Sequence, residues 1–350
     1  MKHRITLDGV FPLEGGETLR DVTVEVRTWG KHRPNATLVC HALTGDANAD
    51  DWWAGLFGPG RTLDSSKRFV VAMNVLGGVS GTTGPTSIDP DSGLPYGATF
   101  PDVTIRDMVE VQHAVLERLG VDSLDLVIGG SMGGMQVLEW AILHPEMVEA
   151  IVPIGVGPTQ SAWAVGVSEA QRHAIVTDPG FRGGAYPPDD PPSDGLATAR
   201  MIAMWSYRSH GSFDARFGRS QANGRFEVQS WLDHHGDALV RRFDANSYLR
   251  LIAAMDSHDV GRGRGPREAI LHRIEARTLA VGITSDVLYP VTEVRGLAKA
   301  IPGARYAALD SPHGHDSFLI DVDALDELVV GFLSERVRAE EERGRGASWA

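Results

Sequence analysis

Cysteine is almost missing from this chain: Cys40 is the only one. No internal disulfide can form, so the fold has to hold itself together without a covalent staple. Such a chain suits a reducing compartment, and a cytoplasmic location is the expectation. Basic charge is also short. The 33 Lys and Arg stand against 46 Asp and Glu, a formal net charge of −13. That balance argues against a general nucleic-acid or anionic-membrane surface. An anionic ligand would need a local group of arginines. Long hydrophobic runs are lacking too. No stretch approaches the ~18 uninterrupted apolar residues of a membrane span. The opening MKHRITLDGVFPLEGG has no apolar core of signal-peptide length.

What is present is ordinary globular material. The apolar fraction is 42% and the charged fraction 23% over 350 residues, enough to bury a substantial core. No internal repeat is visible. TLRDVTVEVRTWG alternates with period two, as in an antiparallel edge pair. ATLVCHAL, FVVAMNVLGG, LDLVIGG and VEAIVPIG are short, continuous apolar runs of the kind found in buried parallel strands. VTIRDMVEVQHAVLERLGV switches to helical spacing and stops at Gly120, and MQVLEWAILHP reads as a helix ended by Pro145. This strand–helix alternation predicts a mostly parallel sheet with helices on both faces.

The rhythm breaks in the middle, where GLATARMIAMWSY and YLRLIAAMDSH are helical. It resumes with RTLAVGITSD, VRGLAKAI and ARYAALDS, and a further helix starts near Asp321. The expected organisation is therefore a core of residues 1–159 and 266–350 carrying a helical lid over 160–265. The charged tail RVRAEEERGRGASWA is expected to fray after Glu342.

Gly129-Gly130-Ser131-Met132-Gly133 places a serine between a buried strand and a helix. The pattern G-x-S-x-G is loose in a chain with 40 glycines, but its strand–turn–helix setting is that of a nucleophile elbow. Small neighbours let the chain reverse tightly, and the N–H of Met132 at the helix start can donate to an oxyanion. A serine at neutral pH needs a positioned base. His313 and His315 follow a late strand in YAALDSPHGHDSFL. Asp286 follows the strand before it in RTLAVGITSDVLYP, with Asp310 as the competing acid. Any one of 13 histidines means little alone. Placement on strand ends in the order Ser, acid, His is what points to a triad.

At these residues the chain resembles the homoserine O-acetyltransferase family, within the α/β-hydrolase fold. The resemblance spans HALTGDANA, NVLGGVSGTTGPTS, PYGATFPDVTIRDMV, GGSMGGMQVLEWA, RRFDANSYLRLIAAMDSHDVGRGRG and SPHGHDSFL. It implies acyl transfer from acetyl-CoA, as co-substrate, to the hydroxyl of L-homoserine in methionine biosynthesis, through an acyl-serine, with no bound cofactor and no metal. Carried over by motif, Ser131 is the nucleophile, Asp286 the triad acid and His315 of the GHD triplet the base. Leu43 in the HALTG loop joins Met132 as the second oxyanion donor. Asp316 is expected to hold the amino group of homoserine and Arg200 its carboxylate, with Arg208 the alternative if the register slips. Tyr207 shares a helix face with Arg200. A homodimer through the helical segment is also implied.

The chain departs from the family pattern at Val79, where a cysteine is usual, and in DDWWAGLFGPGRTLD and PPDDPPSD, either of which could line the acyl-donor entrance. A succinyl donor, a serine acceptor or plain ester or thioester hydrolysis would use the same triad. Other signals read as structure. The Gly/Thr/Ser-rich VLGGVSGTTGPTS lacks the lysine of a phosphate-binding loop and packs beneath the site. His234 and His235 are adjacent, so their side chains diverge and do not suit a metal. Trp52 and Trp53 are expected to pack. GRGRGP, residues 261–266, is expected to return the chain to the core, with CoA phosphate contact as the competing role for its arginines.

Overall fold

A computed structural model of the chain describes residues 1–347. Eight runs rich in Val, Ile, Leu and Thr pair into one sheet. Its strands are β1 (Lys2–Pro12), β2 (Thr18–Trp29), β3 (Asn35–Cys40), β4 (Val70–Met73), β5 (Ser123–Gly130), β6 (Ala150–Ile154), β9 (Arg277–Ile283) and β10 (Arg305–Leu309); β7 (Gln221–Ala222) and β8 (Arg225–Phe226) form a separate small hairpin. The spatial order is β1-β2-β4-β3-β5-β6-β9-β10. β2 is antiparallel to both β1 and β4, and every neighbouring pair from β4 to β10 is parallel. The edge pair expected from TLRDVTVEVRTWG is thus β1 with β2, although β2 itself lies inside the sheet.

The continuous apolar reading of β5 has a direct cause. Val127 packs in one core layer, while its neighbours Leu126 and Ile128 pack in the other. Successive side chains point to opposite faces, and here both faces are covered. One layer is closed by α2 (Ile105–Arg118) and α3 (Met132–Leu143), the other by α1 (Ala49–Trp52) and α12 (Val322–Ala347). α2 begins at a capping box: Thr104 accepts from the Asp107 N–H, and the Asp107 carboxylate accepts from the Thr104 N–H. It ends just before Gly120, whose φ of +67° suits the left-handed exit. The expected helix stop at Pro145 falls two residues after α3 ends at Leu143.

Between β6 and β9 lie α4 (Ala162–Val176), α5 (Ser193–Ser206), α6 (His210–Phe217), α7 (Glu227–Val240) and α8 (Ala245–Asp256). This segment leaves and rejoins the sheet at one place. Thr159 bridges Asp259, and the Val260 N–H donates to the Pro158 carbonyl at 3.0 Å. The return is clamped by charge. Glu139 of α3, 1% exposed at its side chain, takes Arg106 at 3.3 Å and Arg264 at 2.7 Å, and Arg262 meets Glu14 at 2.8 Å. The arginines of GRGRGP are therefore committed to carboxylates, which leaves neither guanidinium free for a CoA phosphate. α9 (Arg267–Leu271), α10 (Val291–Ala300) and α11 (Ser317–Ile320) complete the chain with α12. α12 continues to Ala347, past the point where fraying was expected; the rest of that expectation, residues 348–350, lies outside the described residues. No described helix is long and apolar enough to cross a membrane.

Candidate active site

The parallel strands β3, β5, β6, β9 and β10 all end at the same edge of the sheet, and the loops there carry the candidate site residues. Ser131 sits between β5 and α3 with φ 57° and ψ −125°, a conformation that L-residues rarely adopt. Its N–H donates to the Ile154 carbonyl at 2.9 Å, and its carbonyl accepts from Met135 at 3.1 Å. The strained turn is thereby fixed from both sides. Ser131 is 6% exposed and stands at the start of α3.

The glycines around it answer to close packing. A Cβ on Gly133 would lie 2.2 Å from the Cys40 carbonyl oxygen. That approach brings the loop after β3 against the first turn of α3. Gln136 reinforces the junction by donating to the His41 carbonyl at 3.3 Å, and Gln112 donates to Gln136 at 2.7 Å. The next residues of the loop include Leu43, 5% exposed. Among the described residues, neither the Leu43 nor the Met132 N–H donates a hydrogen bond. Two free N–H groups on adjoining segments, one at a helix start, suit a developing oxyanion.

On the other side of the serine, Nδ1 of His315 lies 2.7 Å from Oδ2 of Asp286, and the two side chains are 3% and 0% exposed. Asp286 is held in turn: its Oδ1 accepts the N–H of Leu288 at 2.8 Å and of Tyr289 at 2.9 Å. This leaves Oδ2 for the imidazole and fixes the ring so that Nε2 is the outward nitrogen. Nε2 is buried and has no hydrogen-bond partner among the described residues. The Ser131–His315 hydrogen bond is therefore not formed in this arrangement, as is common before substrate arrives. Gly155, at the end of β6, passes beneath the pair; a Cβ there would stand 3.4 Å from His315 Cε1 and 3.5 Å from Asp286 Oδ2. Burial alone would lower the basicity of His315, but the charge and hydrogen bond of Asp286 more than offset it and raise its pKa above the usual value. Tyr289, Tyr207 and Phe318 wall the ring at 5.2, 5.6 and 5.7 Å between centroids.

The competing residues separate cleanly. His313 turns to the Ser212 hydroxyl at 3.3 Å, and Asp310 accepts from Thr284 at 3.0 Å on the surface. Arg200 and Arg208 are also told apart. Arg208 is already paired, with its Nε 3.2 Å from Asp316 Oδ2. Arg200 has no ion-pair partner among the described residues. It donates to the Thr44 hydroxyl at 3.3 Å and stands 5.8 Å from the Tyr207 ring centroid. Burial holds the Tyr207 phenol protonated, its pKa pushed up to about 12, so it can donate a hydrogen bond. A cavity of about 300 Å³ opens here between Ala42, Thr44, Trp52, Arg200, Arg242 and Leu319. Trp52 thus lines a cavity, contrary to the packing role expected for it. Trp53 does pack: it is fully buried and donates to the Phe318 carbonyl at 2.8 Å.

Sequence reasoning missed His41. Its Nε2 accepts the Val75 N–H at 3.1 Å while Nδ1 faces the Ala42 carbonyl at 2.8 Å. The ring pins the loop that carries Leu43, and the only signal for it was its place at the end of a strand. Reasoning also missed the group formed by Glu110, His113 and His144, whose ligand atoms lie within 4.8 Å of one another. The two imidazoles stack at 4.0 Å and 5°. Their lone pairs therefore lie in two parallel planes, a poor arrangement for meeting at one ion. His235 packs against Trp231 at 4.4 Å between centroids.

The chain is similar to known proteins along most of its length. Residues 36–321 match the α/β-hydrolase fold family. A homoserine O-acetyltransferase of Trichormus variabilis is 54% identical over 327 residues, 92% of this chain and 91% of that protein. The solved homoserine O-acetyltransferase from Bacillus anthracis superposes with a TM-score of 0.88 at 25% identity, covering 95% of this chain and 97% of that one. The solved esterase E22 gives the same TM-score, 0.88, at 27% identity over 95% of this chain and all of that one. The chain belongs to the homoserine O-acetyltransferase family, an acyltransferase branch of the α/β-hydrolase fold.

Proposed function

We propose that the protein transfers an acetyl group from acetyl-CoA to the hydroxyl of L-homoserine, through an acetyl-Ser131 intermediate and without a bound cofactor or metal. The observation that carries this beyond the family is the arginine left unpaired by its surroundings. Arg200 faces the cavity beside the oxyanion loop with no carboxylate partner among the described residues. A plain hydrolase has no need of a half-buried cation there; an acceptor bearing a carboxylate does.

In the first half-reaction Nε2 of His315 takes the proton of Ser131 as its oxygen attacks the thioester carbonyl. The N–H groups of Leu43 and Met132 receive the oxyanion, and the thiol of CoA leaves with the proton that His315 returns. In the second half-reaction the same nitrogen takes the proton of the homoserine hydroxyl, which attacks the acetyl-serine carbonyl; the bond to Ser131 then breaks and His315 returns the proton to the serine oxygen. Asp286 stabilises the imidazolium in both. Arg200 and Tyr207 hold the carboxylate of homoserine, and Asp316 holds its ammonium. Positioning of the acceptor and exclusion of water decide between transfer and hydrolysis.

The likeness to an esterase, 27% identical, favours one second reading, in which water is the acceptor. Release of CoA from acetyl-CoA separates the two: transfer requires added homoserine for steady turnover, whereas hydrolysis does not. Comparing acetyl-CoA with succinyl-CoA, and homoserine with serine, fixes both substrates in the same assay. Arg200→Ala and Asp316→Ala should slow acetyl transfer more than formation of the acetyl-enzyme; equal loss in both half-reactions would remove their roles.

The protein acts in the cytoplasm as a homodimer in this reading. Its support is an apolar groove of about 610 Å³ on the helical segment, where Trp163 and Trp205 remain 58% and 59% exposed, an unusual exposure for tryptophan. Sedimentation of Trp205→Asp as a monomer, against a dimeric parent, is the expected result.

A further inference from the structure

We propose that Arg208 is a positioning residue for the acceptor site: its ion pair with Asp316 keeps that carboxylate ionised and aimed, so that Asp316 can take the ammonium of the amino-acid substrate. The inference rests on the proposed role of Asp316 and adds a residue whose work is done through it.

The geometry sets the problem. Asp316 follows His315 directly, and its side chain is only 14% exposed. Burial of this kind favours the neutral acid, and the charge of Asp286 nearby pushes the same way. A neutral carboxyl has no charge to offer an ammonium ion. Three cations oppose protonation: Arg208 first, then His315 when protonated, then Arg200. Arg200 belongs to the acceptor's carboxylate, and His315 must be neutral to act as a base. Arg208 is permanently charged and is the one cation in ion-pair contact with Asp316 among the described residues.

The local structure also aims the pair. The Asp316 N–H donates to the Tyr207 carbonyl at 3.1 Å, and Tyr207 immediately precedes Arg208. The end of α5 is thereby tied to the loop after β10, with backbone and side-chain links one residue apart. On its far side the Arg208 guanidinium lies 5.7 Å from the Trp231 ring centroid, which limits its swing. Arg208 Nε lies 3.2 Å from Oδ2 as a charge contact without hydrogen-bond geometry, so the carboxylate keeps acceptor capacity for an incoming ammonium. The groups facing Asp316 are His315 and Asp286 from the loops at the sheet edge, Arg200 from within α5, and Tyr207 and Arg208 just after it.

The test compares the two half-reactions of Arg208→Gln, Arg208→Lys and Asp316→Asn over a range of pH. Acetylation of Ser131 by acetyl-CoA reads His315 alone; transfer from acetyl-enzyme to homoserine reads His315 and Asp316 together. Loss of the guanidinium raises the Asp316 pKa, so Arg208→Gln should move the acid limb of transfer upward by about 1 to 3 pH units relative to acetylation. Homoserine KM should rise at low pH and recover as pH rises through the new value. Arg208→Lys should restore most of the shift. A folded Arg208→Gln whose limb does not move, while Asp316→Asn still raises homoserine KM, overturns the proposal and leaves the role of Asp316 standing. An Asp316→Asn enzyme with unchanged homoserine KM instead strikes the role of Asp316 itself. If Arg208→Gln does not fold, Arg208→Gln/Asp316→Asn, which removes both charges, takes its place. Transfer no worse than in Asp316→Asn supports the proposal, and a further loss of homoserine transfer contradicts it.

Discussion

Gly133 and the Cys40 carbonyl oxygen meet so closely that a Cβ on the glycine would stand 2.2 Å from that oxygen. This contact joins the loop after β3 to the first turn of α3, and with it the two N–H groups proposed to receive the oxyanion. Gly133→Ala is expected to force the segments apart and destabilise the fold by about 1–3 kcal/mol, the usual range for overpacking. Acetyl-enzyme formation should fall further than stability alone explains. Urea unfolding together with a CoA-release assay checks both halves; a fully active, equally stable variant would refute the arrangement.

Ser131→Ala is expected to abolish CoA release while keeping the fold, because the hydroxyl makes no hydrogen bond that holds the structure. Mass spectrometry after exposure to acetyl-CoA should find no acetylated protein. Asp286→Asn should keep the hydrogen-bond distance but lose the charge and impose the wrong tautomer, with a fall on the order of 10⁴-fold in turnover, the loss known for the equivalent change in a serine protease.

The pH profile follows from His315. As the proposed base, His315 works only when neutral, so activity falls as pH drops through its pKa. That pKa is raised from the ordinary value by the Asp286 charge and hydrogen bond, against burial. The acid limb of acetylation should therefore lie above pH ~6.5, the reference value for an unperturbed histidine. In Asp286→Asn the limb should move down, since only the weaker pull of Asp316 then opposes burial. A limb below 6 in the parent enzyme would contradict this account.

Glu139 is buried between Arg106 and Arg264. Glu139→Leu removes the carboxylate and leaves Arg264 without one, while Arg106 keeps Glu14 at 2.6 Å, so a loss of about 3 kcal/mol is expected, the low end for breaking a buried pair. Differential denaturant midpoints measure it. Residual activity in the folded fraction should be near normal, because the network ties the lid's return to the core and does not touch the triad.

Much of this was legible in the sequence because it is local. A strand covered on both faces must be apolar at consecutive positions, and a covered helix must repeat every three to four residues. That is why LDLVIGG, the serine and MQVLEWAIL could be read as strand, turn and helix in turn. The loops after β9 and β10 were readable for the same reason, and they held both acidic and imidazole candidates.

Partner choice was not local. His315 and His313 are two residues apart in the chain, yet one faces Asp286 and the other Ser212. Arg200 lies within α5 and Arg208 just past its end, yet only the second meets a carboxylate. Trp52 lines a cavity and Trp53 fills the core, although nothing in their order distinguishes them. Periodicity records how deeply a residue is buried, since burial depends on the face of its own element. It does not record which distant side chain shares that burial, because that depends on sheet order and on where the inserted helices come to rest.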